Sequence, residues 1–503
     1  MRRKKYILAI ILSLILLPML HFGQGILIQP GAKMTVQNGA KLTTTGTAGI
    51  TVKSDATGTG SFLDQNTGSG NVIFAGTQTV ERYLTQDKWH YIGIPMASIT
   101  SNVFLNDYIS YFKEPSGVWS KCIIPTDTVL QTKLLGYKVW SPLATSGATK
   151  TFTGTLNTGT ISLSVTRTGD SNEPGWNLIG NPYPSAINIG CQNTEVSGWT
   201  MTNVSRVFYF WDQSNSRYAY YSWAGSGTGT NGGTQYIPAM QGCFVQVSSG
   251  QTSGTVGLTN ETRVHSSQTF WKHSQEIPAN RIRLKVEGNG NSDEIVITFN
   301  NNTTPQCDPD YDAYKFFGGA DAPQLYSLTP DSARLVINYL PMISKETVIP
   351  LGIKTETGGT YSLRASEFNS FTPGVSISLE DLKEQKSQDL QSNPEYQFVS
   401  QPDNEPIRFH LHFTNLPFSV EEVGDDKSFT VYPSGSQIVV ITNIQGVEQA
   451  NVIIYDMVGR SVFQSELSQN SINRLTTNLQ SGYYVIRIQT GMKCYVKKVF
   501  ISY

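Results

Sequence analysis

Few residues in this chain stand at spacings that chemistry needs. His410 and His412 are two apart, which on a strand puts both imidazoles on one face, where they would suit a metal ion. They alternate with Phe409, Leu411 and Phe413, so they also read as the outward residues of a half-buried strand, and no third ligand is close in sequence. Asp308, Asp310 and Asp312 offer hard oxygens at alternating positions, as calcium prefers. Ala313 stands where an EF-hand loop needs glycine, and Gly319 where it needs glutamate, so turn-forming carboxylates are the plainer reading. Gly227–Gly232 fits G-x-G-x-x-G, but no helix follows to supply the N-terminus that would bind phosphate. Neither G-x-S-x-G nor H-E-x-x-H occurs. Paired carboxylates for glycoside chemistry need not be neighbours, so one sequence does not exclude them. No catalytic residue, cofactor or metal is expected.

The elements that carry these residues are strands. Of 503 residues only 15% are charged, Gly numbers 45, and helical amphipathic periods are nearly absent. The best of them, Ser378–Gln385, reads as a short surface piece. The fold class expected is all-β: tandem β-sandwich modules, a short N-terminal β-solenoid-like or sheet segment, and a C-terminal immunoglobulin-like sandwich. A net charge of −1 gives no electrostatic case for nucleic acid or an acidic membrane surface. The five cysteines show no C-x-x-C spacing, and Cys191 with Cys243, placed in one module, is the pair to expect if a bridge forms.

Residues 1–25 read as a secretory signal peptide, with a basic Arg2–Lys5, an apolar Ile7–Leu17, and small residues Gly23 and Gly25 near the cleavage zone. Ile7–Leu20 is too short to span about 30 Å of hydrocarbon comfortably, and no transmembrane span is expected in the mature chain. In 26–80, Gly31-Ala-Lys-Met-Thr35 recurs as Gly39-Ala-Lys-Leu-Thr43, which suggests stacked β-arches; a plain hairpin sheet is the alternative.

A larger duplication follows. Trp89-His-Tyr-Ile-Gly-Ile-Pro-Met-Ala-Ser98 matches Trp176-Asn-Leu-Ile-Gly-Asn-Pro-Tyr-Pro-Ser185. The aromatic run after each motif and the later Gly136–Trp140 and Gly242–Val247 extend the match. Two β modules, 81–165 and 166–265, are expected. In each the Trp should anchor the core, the Gly should let two backbones approach, and the Pro should end the strand. A further β-sandwich is expected over 270–420, from alternation at Ile282, Leu284, Val286 and at Phe409, Leu411, Phe413.

The tail, 429–503, has alternating Ile438/Val440, Val452/Ile454 and Tyr484/Ile486/Ile488, with glycines where turns are needed. Tyr432-Pro433, Tyr455-Asp456, Gly459-Arg460, Leu479, Gly482, Tyr484 and Lys497 match a pattern, and on them the tail resembles the type A C-terminal sorting domain of proteins exported by the type IX secretion system of Bacteroidota. Ser434-Gly435 replaces the family's Asn-Pro. The resemblance implies a sandwich that serves as an address, the secretion machinery as partner, and a destination at the cell surface or outside the cell. Trp176–Pro184 and Asp310–Phe317 resemble segments of large Bacteroidota surface proteins, and Asp127-Thr-Val129 and Asp331-Ser-Ala333 look like O-glycosylation sites of that phylum. The function expected is that of a noncatalytic adhesive or structural surface protein, with a surface glycan or a protein as ligand. The alternative is a carbohydrate-binding or carbohydrate-active protein using its aromatic side chains, and an exposed flat strip of Trp211, Tyr218, Tyr220 and Trp223 would favour it.

Overall fold

The computed structural model describes residues 25–415 and 429–501, apart from 69, 121–127, 131–133, 143–148, 169–173, 267–278, 345, 372–374, 435–436, 443–449, 469–471 and 491–492. Residues 1–24 of the expected signal segment, the acidic stretch 420–426, Asp127, Gly435 and Cys122 lie outside the described residues. The chain divides into two compact units, Met1–Asn415 and Leu416–Tyr503. Strands dominate both, as the charge-poor, Gly-punctuated sequence requires.

The N-terminal strands stack in parallel. Ile26–Ile28 pairs with Ile50–Val52, which pairs with the start of Gln78–Tyr83. Lys33–Val36 pairs with Ser61–Asp64, and Leu42–Thr43 with Val72–Ile73. Three consecutive parallel pairs make coils of a β-solenoid. Gly31 and Gly39, at φ +76° and +82°, turn the chain at successive corners of one coil, so the eight-residue repeat marks corners rather than coils.

One pairing order then occurs twice. Trp89–Ile92 pairs with Tyr137–Trp140, which also pairs with Tyr108–Ser110. Trp176–Gly180 pairs with Gly242–Gln246, which also meets Val207–Asp212. Ile99–Thr100 with Val129–Leu130 answers Ala186–Asn188 with Tyr236–Ile237. Gln78–Tyr83 with Thr149–Thr153 answers Ile161–Thr166 with Ser253–Leu258. The contact between the two sets is reciprocal as well. Ile92 bridges to Gln241 while Ile179 bridges to Leu135. The Gly93 amide donates to the Met240 carbonyl at 3.0 Å, and the Gly180 amide to the Leu134 carbonyl at 2.8 Å. A β-carbon on Gly180 would stand 2.4 Å from the Gly93 α-carbon, so the motif glycines permit the close approach expected of them.

The two motif tryptophans start equivalent strands, but their burial differs. Trp176 is buried, with Tyr209 at 4.7 Å and Phe316 at 4.4 Å between ring centres. Trp89 is half-buried and meets only Trp140 at 5.1 Å and the Lys138 ammonium at 4.0 Å among the ring contacts described. The chain 309–317 covers the second tryptophan, which is why only that one anchors a core.

Residues 281–415 form one 11-stranded sheet. It curls until its ends meet: Gln388 Nε2 on one edge strand donates to the Glu395 carbonyl on the other at 2.8 Å, and Tyr396 Oη donates to Asp381 at 3.0 Å. Ser378–Gln385 is no helix. Val375–Asp381 is a strand with Ile377, Leu379 and Asp381 turned inward, so period two overrides the apparent helical spacing. The C-terminal unit packs a three-stranded sheet and a four-stranded sheet around Val431, Val440, Val452, Ile454, Ile486 and Ile488.

Cys191 and Cys243 are both buried free thiols, not a disulfide. Sharing a module fixes neither the α-carbon separation nor the side-chain direction that a bridge needs.

Candidate functional site

The C-terminal unit holds the matched motif in two kinds of position. The first kind shapes the fold. Tyr455 ends the strand Ala450–Tyr455, with a register shift after Ile454, and Asp456 opens the turn to Ser461–Leu467. One Asp456 carboxylate oxygen accepts the Val458 amide at 3.0 Å and the Arg460 amide at 2.9 Å, while the other accepts Arg460 Nε at 2.8 Å. These bonds, led by the Arg460 amide, hold the carboxyl below its usual pKa. Gly459 takes φ +84°, where a side chain would be strained, and closes the turn by donating to the Asp456 carbonyl at 3.0 Å. Leu479 packs against the core, and Tyr484 Oη donates to the Gln480 carbonyl at 2.9 Å ahead of Gly482, the first residue of Gly482–Thr490.

The second kind is exposed. Tyr432 and Pro433 lie on the strand Phe429–Ser434 opposite Val439 and Ile438. Lys497 lies on the edge strand Lys493–Ile501, on the same side as the buried Val499 and Ile501. A charge at an inward-facing edge position discourages pairing with another chain. The apolar tip of the Asp456 turn is also exposed, Met457 at 59% and Val458 at 82%.

In the first unit, the aromatic run after the second tryptophan is not an exposed strip. Tyr220 is fully buried, and Trp211, Tyr218 and Trp223 are only partly exposed. The chain 309–317 lies across these residues and is held by hydroxyls. Ser205 donates to the Pro309 carbonyl at 2.5 Å and Ser222 to the Tyr311 carbonyl at 2.7 Å. Tyr209 accepts the Tyr314 amide at 3.1 Å. Tyr220 accepts the Phe316 amide at 3.1 Å and donates to the Phe316 carbonyl at 3.0 Å. Burial raises the pKa of both tyrosines well above the ordinary phenol value, so these hydroxyls remain neutral. Trp223 carries the Arg206 guanidinium over its ring at 4.2 Å, beside a groove lined by Gln192, Asn203, Asp310 and Tyr311.

The other sequence candidates have structural work. Asp308 accepts the Thr304 amide at 2.6 Å, and buried Asp312 accepts the Asp308 and Tyr339 amides, each at 2.7 Å, so both carboxylates face backbone donors. Within Gly227–Gly232, Thr228–Thr230 is a buried strand whose Thr228 hydroxyl meets Tyr339 Oη at 2.6 Å. Asp331–Ala333 forms a turn with Ser332 at φ +65°. His410 and His412 are half-buried on the outer side of their strand, and the fold brings Glu380 against both. Sequence reasoning missed Glu380 because it lies on a neighbouring strand. The spacing of the histidines was the only signal available.

The fold and tail together define a class: an exported, all-β protein of the cell surface or extracellular space, handled by the type IX secretion machinery of Bacteroidota. Residues 430–502 match the secretion system C-terminal sorting domain. The chain belongs to the family described as Domain of unknown function (DUF8693), whose match covers residues 22–413. It is similar to the minor fimbrium subunit Mfa5 of Porphyromonas gingivalis, 25% identical over 488 residues. That alignment takes in 90% of this chain but 38% of the fimbrial protein. Among the described residues, no helix is long and apolar enough to cross a membrane.

Proposed function

We propose that this chain is a noncatalytic structural or adhesive component of the bacterial surface, carried there by residues 429–503. The observation that supports a structural role is the use made of the aromatic residues. Trp176, Tyr209, Tyr220 and Phe316 join the second repeat to the large sheet in one apolar cluster, with the Tyr209 and Tyr220 hydroxyls bonded internally. A surface built for stacking on sugar rings would leave flat faces open to solvent. The similarity to a minor fimbrium subunit points to a place in a surface appendage.

Immunogold labelling of the native host tests this reading. Label on surface fibres, together with no turnover of polysaccharide or peptide panels by the purified chain, is the expected result. Turnover that is lost on substitution of a single carboxylate or serine would overturn it. The carbohydrate-binding reading retains one support, the groove beside Trp223 with its amide, carboxylate and phenol side chains. Glycan-array binding abolished by Trp223→Ala would favour it.

A further inference from the structure

The strand Asp403–Asn415 runs through the large sheet between Val375–Asp381 and Glu346–Thr355. Its alternation buries Phe409, Leu411 and Phe413 completely and turns His410 and His412 to the other side. Glu380 is paired directly with His410 and lies diagonal to His412, whose own partner is Ser378. Register alone therefore collects two imidazoles and a carboxylate on one patch of sheet.

The side chains converge there. One Glu380 oxygen is 3.0 Å from His412 Nε2 and 3.5 Å from His410 Nδ1. Donor atoms of the three residues all lie within 4.8 Å of one another. Ligands held at about 2.0–2.1 Å around a tetrahedral zinc ion stand about 3.3 Å apart, so the two carboxylate–imidazole distances suit a shared ion with little movement. A separate observation points the same way. The second nitrogen of His412, Nδ1, faces a Glu346 carboxylate oxygen at 3.8 Å, across the other neighbouring strand. Carboxylates in that position orient metal-binding imidazoles and raise their basicity.

We propose that Glu380, His410 and His412 form a binding site for a divalent first-row transition metal, with Glu346 orienting His412 from behind. Two neutral imidazoles and one carboxylate favour zinc or copper over magnesium or calcium. The side chains are 41%, 30% and 24% exposed, so an ion there keeps at least one coordination position open to water or to a donor from another molecule. The sheet behind them is a fully buried apolar layer, which gives the ligands a rigid base.

The test titrates Zn2+ into the purified full chain by calorimetry. One ion per chain is expected in the wild type and none in the His410→Ala/His412→Ala double variant. Glu346→Gln should weaken binding about tenfold without changing the stoichiometry. Cu2+ spectra should show splitting from two imidazole nitrogens, reduced to one in either single histidine variant. Near-ultraviolet dichroism confirms that each variant is folded. The proposal is overturned if the folded wild type binds no Zn2+ at millimolar concentration, or if the double variant binds as the wild type does.

Discussion

Leu134 and Met240 exchange places between the two repeats. Leu134 belongs to the first repeat by sequence but is buried among Ile179, Phe208, Val245 and other residues of the second. Met240 belongs to the second and is buried among Ile92, Ile94, Val139 and other residues of the first. Both hold a left-handed backbone, φ +59° and +56°, and both carbonyls accept the amide of the other repeat's motif glycine. A non-glycine residue in that region is strained, so the surrounding contacts must hold it there. The repeats therefore behave as one cooperative body. Leu134→Ala and Met240→Ala should each cost about 2–5 kcal/mol, read by denaturant unfolding as a shift of a single transition. A small early transition confined to one repeat would count against the exchange.

His90, next to the first motif tryptophan, gives that body an acid limit. Burial lowers its pKa to about 4, while Nε2 is bonded to the Thr85 carbonyl at 2.8 Å. The unfolded imidazole, at about 6.5, takes up a proton that the folded one refuses. Stability is then full above about 6.5 and falls as pH drops towards about 4, by about 3 kcal/mol for this group. Melting curves across that window should show the slope in the wild type and a shallower one in His90→Gln.

Lys315 and Asp293 form a fully buried ion pair inside the large sheet, and Asp293 also accepts the Leu325 amide at 2.8 Å and the Asn231 side-chain amide at 2.9 Å. Replacing one partner leaves the other charged and dry. Lys315→Met should therefore cost about 3–5 kcal/mol in chemical denaturation, and the double change with Asp293→Leu should recover part of it.

Cys191 and Cys243 should resist alkylation in the native protein and react only after unfolding. Both are buried, and burial raises the Cys243 thiol pKa. Mass mapping after a brief iodoacetamide pulse checks this, and a native Cys191–Cys243 crosslink would contradict it.

The readable part of this fold was the part set by local rules. The motif glycines declare a close approach of two backbones, and Gly93 and Gly180 make it. Alternation at Phe409, Leu411 and Phe413 declares a strand with one buried face. Contacts across sequence could not be read. Glu380 reaches His410 only through strand pairing, and Trp89 and Trp176 look alike until the chain 309–317 covers one of them. Leu379 and Leu382 imitate a helical period, although Leu379 lies inside a strand and Leu382 is exposed just beyond it. In the tail, the Asp456–Gly459–Arg460 turn was legible because each residue type serves a local bond or a local backbone angle.

Delivery of this chain to the surface is the role we propose for residues 429–503. The direct measurement fuses them to a periplasmic reporter in a host with a type IX system and assays the reporter by cell fractionation and surface protease. The fusion should reach the surface, and Gly459→Val, which strains the φ +84° turn, should reduce delivery. Retention of the fusion in the periplasm would contradict that role, as would equal surface delivery of the reporter without these residues.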